Sequence, residues 1–205
     1  MFDTGFIMRL PALLVALSVH EYAHARVADR LGDPTPRYAG RLTLNPLAHV
    51  DPVGLLMLWV FRFGWAKPVR VNPAFFADPR RGMLLVGLAG PAANVLTALL
   101  TAVLFQVGVL RATSWIGVVA NWIFTYNVIL ATFNVLPIPP LDGSRVLAGL
   151  IPRGHLRWLA QLEQYGWLIL LGLIWTGVIG RIMFPMANGM ARFLNELARL
   201  LAGNW

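Results

Sequence analysis

The hydrophobic pattern divides the chain into long uncharged runs separated by short polar ones. Residues 10–19 are uncharged and belong to a helix expected over about 6–30, which Gly32-Asp33-Pro34 stops. Pro11 falls early in that helix, where a membrane helix tolerates it. No charge occurs over the 28 residues 83–110 or the 30 residues 112–141. Helices are expected over about 83–110 and 115–136, each reaching the roughly 20 residues that cross a bilayer core. Pro137, Pro139 and Pro140 end the latter, because three prolines in four residues cannot continue a helix. A fourth apolar helix is expected over about 165–184. After it, Met186, Met190, Phe193, Leu194, Leu197, Leu200 and Leu201 recur at helical spacing, with Asn188, Arg192, Asn195, Glu196 and Arg199 opposite. That pattern predicts an amphipathic tail over 186–202, lying on the membrane or packing on a partner.

The segment between the first two helices reads differently. Over 40–75 the pattern predicts a short membrane-associated β and re-entrant region. Arg41-Leu42-Thr43-Leu44-Asn45-Pro46 has the character of a short strand and turn, and residues 53–61 are apolar but too short to span. Residues 66–73 are extended by their prolines and β-branched side chains, and those prolines suit an edge strand. The expected fold class is an all-α polytopic membrane protein of about four transmembrane helices, three of them forming the core that carries the motifs. It is expected to be a single membrane-embedded domain over 1–205.

Composition supports that class. Hydrophobic residues make up 58% of the chain and charged ones 13%, about half the usual quarter, which excludes an ordinary soluble domain. The net charge of +8 comes from 16 arginines and one lysine against nine acids. In a soluble protein this balance points to nucleic acid. Here the cations sit mainly between apolar runs, which assigns them to topology and anionic headgroups, with no nucleic acid. Nine lie over 26–81 and only Arg111 lies between the second and third helices. The positive-inside rule therefore puts residues 31–81 and 142–163 in the cytoplasm. The chain has no cysteine, hence neither disulfides nor Cys-ligated zinc. The N-terminus lacks a basic n-region and a small-residue cleavage site, so the first apolar segment is expected to be retained.

The chemistry centres on His20-Glu21-Tyr22-Ala23-His24, in the cytoplasmic half of the first helix. Four residues apart, the two histidines share one helix face and can reach one metal ion, with Glu21 beside them as general base for an attacking water. About 0.001 such matches are expected by chance in a chain with four histidines and three glutamates. Ionisable groups at membrane depth are costly and usually functional.

Catalytic zinc takes three protein ligands and keeps an open position. Asp142, at the cytoplasmic end of the third helix beside Gly143, is the best third ligand; His49, with Asp51 nearby, is the rival. Capping a helix that restarts at Ser144 is the competing role for Asp142. His49 and Asp51 would otherwise line the cytoplasmic mouth, and His155, between Arg153 and Arg157, reads as a surface residue. Asn94, in Gly90-Pro91-Ala92-Ala93-Asn94, fits both interhelical hydrogen bonding and polarisation of a substrate carbonyl. The chemistry these residues permit is peptide-bond hydrolysis, for which a substrate helix must unwind. An extended edge at 67–71 would hold the unwound chain by strand addition. The other readings are a zinc-binding membrane protein without catalysis, such as a transporter or inactive regulator, and a structural bundle without metal. Glu21 discriminates against a transporter, which needs no base beside two histidine ligands.

In this order on three membrane helices, His20-Glu-x-x-His24, Gly90-Pro-x-x-Asn94 and Asn134-x-x-Pro-x-Pro-x-Leu-Asp142-Gly143 resemble the site-2 protease family of intramembrane zinc metalloproteases. Arg41-Leu42-Thr43-Leu44-Asn45-Pro46 and Gly64-Trp65-Ala66-Lys67-Pro68-Val69 are similar to its compact prokaryotic members, without PDZ or CBS domain. The resemblance implies one Zn2+ per chain on His20, His24 and Asp142, with Glu21 as general base and Asn94 and Asn134 near the substrate. It implies regulated intramembrane proteolysis in a prokaryotic plasma membrane, often of membrane-held regulators such as anti-sigma factors. Ser144 stands where many relatives have a second glycine.

Overall fold

The computed structural model describes residues 4–61, 66–151 and 156–203. Its helices are α1 (Thr4–Arg30), α2 (Thr35–Tyr38), α3 (Pro52–Phe61), α4 (Pro79–Gln106), α5 (Trp115–Val135), α6 (Asp142–Leu150), α7 (Leu156–Trp175) and α8 (Val178–Leu201). Among the described residues no strand forms.

Local chemistry sets the helix ends. Asp78 caps α4 by accepting from the backbone N–H groups of Arg80 (3.0 Å) and Arg81 (3.1 Å), with Pro79 at the first helical position. The helix thus starts at Pro79, before the expected 83. It stops at Gln106, and Gly108 follows in the left-handed region at φ 76°. Ser114 caps α5 through the N–H of Gly117 at 3.0 Å. Inside the helices, the hydroxyls of Ser18, Thr97, Thr101 and Thr132 bond carbonyls four residues back, so they carry no open donor into an apolar interior.

Helices α1, α4 and α5 pack on one another pairwise and form the core. Small residues allow the approach: Ala12, Ala16, Ala25 and Ala28 of α1 and Ala98 of α4 are fully buried. Helix α8 lies against α4 and α5 through Ala187, Leu194 and Ala198, while α6 tucks under α4 and the end of α5. Helices α4 and α5 are long and apolar enough to cross a membrane, and the pair α7–α8, bent by 80°, supplies a third crossing if it acts as one span. Leu96 and Leu100 of α4 stay 66% and 60% exposed, which suits a lipid-facing surface. Helix α1 does not meet the same apolarity criterion: it carries five charged residues and two histidines.

Two regions differ from expectation. The described residues between 40 and 75 make three-ten turns at Pro46–Ala48 and Pro73–Phe75, helix α3, and an isolated antiparallel bridge between Val50 and Ala66. Each three-ten turn follows an Asn-Pro pair whose Asn side chain accepts from the N–H two residues on, at 3.1 Å in both cases. Among the described residues the run 66–72 meets a partner strand only at that bridge, and its N–H groups at Val69 and Asn72 go to the side chains of Glu21 and Asp33, so no ladder forms. The helix break in the C-terminal part falls at Thr176-Gly177, where Gly177 takes φ 73°, and not near residue 185. Pro185 lies inside α8.

Candidate metal centre

Three ligand atoms converge at one end of the core. His20 Nε2, His24 Nε2 and Asp142 Oδ2 lie 3.0 Å from one another on all three edges. The rings meet edge to face, with centroids 4.5 Å apart. All three residues are buried, and among the described residues they form the one group of His, Cys, Asp or Glu able to hold a metal ion.

The far side of each ring is fixed. His20 Nδ1 is 2.6 Å from Asn94 Oδ1, and His24 Nδ1 is 2.7 Å from the carbonyl of Val86. Both partners are acceptors, so each Nδ1 carries the proton and donates it. Each Nε2 then presents a bare lone pair, and the third corner is a carboxylate oxygen. Three lone pairs at 3.0 Å repel one another unless a cation lies among them, so the donor set fits a metal. A tetrahedral zinc with bonds of about 2.0–2.2 Å spaces its donors roughly 3.3–3.6 Å apart, within a few tenths of an ångström of this triangle. The backing of each ring nitrogen is the arrangement that orients metal-ligating histidines.

Local sequence explains the convergence. Gly90 leaves the space: a Cβ there would fall 2.4 Å from His24 Nε2 and 2.5 Å from His20 Cε1. Asp142 is brought in by the proline turn after α5. Gly143 permits the close approach, since a Cβ would lie 2.2 Å from the carbonyl oxygen of Val135. Helix α6 begins at Asp142 with Leu141 in the cap position and no side-chain cap, so neither Asp142 nor Ser144 caps it. The second oxygen of Asp142, Oδ1, receives Arg145 Nη1 at 3.2 Å.

Glu21 is half-buried beside this triangle, and its Oε2 accepts the backbone N–H of Val69 at 2.9 Å. Asn94 is fully buried at the back of His20. Asn134 donates to its own helix at Leu130 O, 3.1 Å, and lines an apolar cavity of about 200 Å³ with Gly87, Pro91, Val135, Pro137 and Gly143. His49 does not join the group: it is buried, with Nε2 2.8 Å from the carbonyl of Thr43. Asp51 caps α3 through the N–H of Gly54 at 2.8 Å. His155, Gly64 and Trp65 lie outside the described residues.

Sequence reasoning missed four contributors. Asn127 of α5 accepts from Asn94 Nδ2 at 2.7 Å. Its signal was an amide in the middle of an uncharged helix, seven residues before Asn134 and so near the same face. Arg145 was visible as a cation three residues after Asp142. Val69 and Val86 act through backbone atoms, which leave no trace in residue type.

The family model described as Peptidase family M50 matches residues 107–175, a span that holds Asp142 but not the two histidines. YwhC of Bacillus subtilis (strain 168) is 39% identical over 184 residues, covering 86% of this chain and 84% of its own. Rip2 of Mycolicibacterium smegmatis is 32% identical over 214 residues, 98% of this chain and 81% of its own. MJ0611 of Methanocaldococcus jannaschii is 31% identical over 150 residues, 69% and 70% respectively. All three carry zinc-metalloprotease names. No solved structure matches the chain.

Proposed function

The chain belongs to peptidase family M50, the site-2 protease family of intramembrane zinc metalloproteases, and from that premise we propose that His20, His24 and Asp142 hold one Zn2+ while Glu21 serves as general base. The observation that carries this reading is the 3.0 Å triangle of two backed imidazole nitrogens and a carboxylate oxygen. Zinc bound there supplies Lewis acidity toward a peptide carbonyl and acidifies a water.

The rest of the chemistry belongs to the chain. Neutral His20 and His24 donate through Nε2, and Asp142 adds one negative charge through Oδ2 while Arg145 occupies its other oxygen. Glu21 takes a proton from the attacking water, whose oxygen bonds to the carbonyl carbon. The C–N bond breaks, and Glu21 returns the proton to the leaving nitrogen. The amide of Val69 holds one Glu21 oxygen and so orients the carboxylate. The cavity lined by Asn134 supports a substrate-positioning role for that residue, taking an apolar side chain next to the scissile bond. His49 supports the site from outside, by bracing the turn at Thr43.

Residues 1–205 act as one membrane-embedded peptidase domain in this reading. Helix α1 enters the bilayer beside α4 and α5, and α7–α8 completes the crossings, giving about four spans with a re-entrant piece around α3. The active site faces the cytoplasm of a prokaryotic cell membrane. In support, the cation-rich segment adjoins the site: Arg80, at the start of α4, bonds the carbonyls of Ala148 and Ile151 at the end of α6, the helix that begins at Asp142. Substrates are transmembrane segments of membrane-held regulators, anti-sigma factors among them. The test is co-expression with tagged single-span membrane proteins, comparing wild type with Asp142→Ala. The wild type cleaves and purifies with one zinc per chain, whereas Asp142→Ala does neither. Undiminished cleavage by the variant would overturn the ligand assignment.

A further inference from the structure

We infer that Asn127 and Asn94 form a relay that fixes the His20 ring as a zinc donor, which makes Asn127 a positioning residue of the metal centre. The inference rests on His20 being a zinc ligand.

Asn94 and Asn127 are both fully buried. Asn127 Nδ2 is 2.8 Å from the carbonyl of Ile123, one turn back on α5. That carbonyl can only accept, so Asn127 turns its amide nitrogen to it and its oxygen to Asn94. Asn94 Nδ2 lies 2.7 Å from Asn127 Oδ1 and 3.0 Å from the carbonyl of Ala16. Both of these also only accept, so Asn94 must present its nitrogen to them and its oxygen to His20. Asn94 Oδ1, 2.6 Å from His20 Nδ1, then requires the ring proton at Nδ1 and leaves Nε2 bare. The orientation of a metal-binding nitrogen on α1 is thus set by Asn94, which two acceptors hold: the Ala16 carbonyl on α1 and, through Asn127, the Ile123 carbonyl on α5. The relay joins all three core helices.

This arrangement also decides between the two sequence-based roles for Asn94. Both of its amide hydrogens are engaged, so none is left to polarise a substrate carbonyl. Asn94 acts on the ligand instead.

Replacing Asn127 by Leu removes the accepting oxygen. Asn94 Nδ2 then keeps only the Ala16 carbonyl, and each turn of the amide toward His20 puts the ring proton on Nε2 and blocks the metal. The experiment measures zinc affinity of the purified full chain by competition with a chelator. Loss of such outer contacts typically costs about 10–100-fold in metal affinity. Kd is expected to rise roughly tenfold in Asn127→Leu and up to about 100-fold in Asn94→Leu. Asn127→Asp keeps an oxygen that accepts from Asn94, and is expected to bind zinc close to the wild-type affinity. A purely structural amide would not be rescued in this way. If Asn127→Leu does not purify folded, Asn127→Ala carries the same expectation. Wild-type zinc affinity in the Leu or Ala variant, or equal loss in Asn127→Asp, overturns the relay. A wild-type protein without zinc overturns the metal reading itself.

Discussion

The carboxylate of Glu21 accepts a 2.9 Å hydrogen bond from the backbone N–H of Val69, 48 residues further along the chain. The segment around Val69 is tied on both sides of this contact. Lys67 N donates to the carbonyl of His49 at 2.8 Å, and the Arg41 guanidinium bonds the carbonyls of Ala48 and Lys67. Beyond it, Asn72 N donates to Asp33 Oδ2 at 2.7 Å. The proposed general base is therefore held by a strap that is itself anchored just beyond the end of α1.

Val69→Pro removes the N–H that reaches Glu21 and leaves the metal triangle untouched. Since a positioned base contributes about 10²–10⁴-fold to rate, misorienting it is expected to lower cleavage by at least tenfold. Zinc content should stay at the wild-type level. Loss of zinc in parallel with activity would mean that the strap supports the fold of α1 and not the base.

The strap also constrains how an extended substrate would pair. In extended chain, alternate residues point to opposite sides. Lys67 and Val69 spend their N–H groups inward, so the outer edge offers the N–H of Arg70 next to Pro68, which has none. Strand addition at this edge predicts that Arg70→Pro raises KM for a membrane substrate while zinc content stays constant. Cleavage with unchanged KM would remove strand addition from the account.

Gly90 separates the needs of the site from those of the helix. In a helix interior Ala is more favourable than Gly by about 1 kcal/mol, so Gly90→Ala should not weaken α4 intrinsically. A Cβ at this position would intrude to 2.4 Å from His24 Nε2. The variant is expected to be folded yet to lose zinc, by metal analysis of purified protein. Full zinc occupancy would mean that the two rings sit elsewhere in the active protein.

How far these features were legible in the sequence follows from what carries them. The proposed ligands His20, His24 and Asp142 stood out because spacing on one helix and a proline-broken helix end are properties of residue type and order. Helices α4 and α5 were equally plain from their uncharged runs, although the Asp78 cap moved the start of α4 outward. The strand readings at 41–46 and 66–73 misled because β-branched residues and prolines indicate extended chain without saying whether a pairing partner exists. The break at Gly177 was masked by apolar residues on both sides of it. Asn127 and the backbone donor of Val69 acquire their roles only from neighbours distant in sequence.

In the proposed mechanism Glu21 performs chemistry at a zinc centre that His20, His24 and Asp142 build without it. Glu21→Gln keeps an oxygen for the Val69 amide and removes the base. The decisive measurement is zinc stoichiometry and cleavage of a single-span membrane substrate on the same purified sample. One zinc per chain is expected, with cleavage reduced at least about 100-fold. Cleavage equal to wild type, with zinc in place, would contradict it.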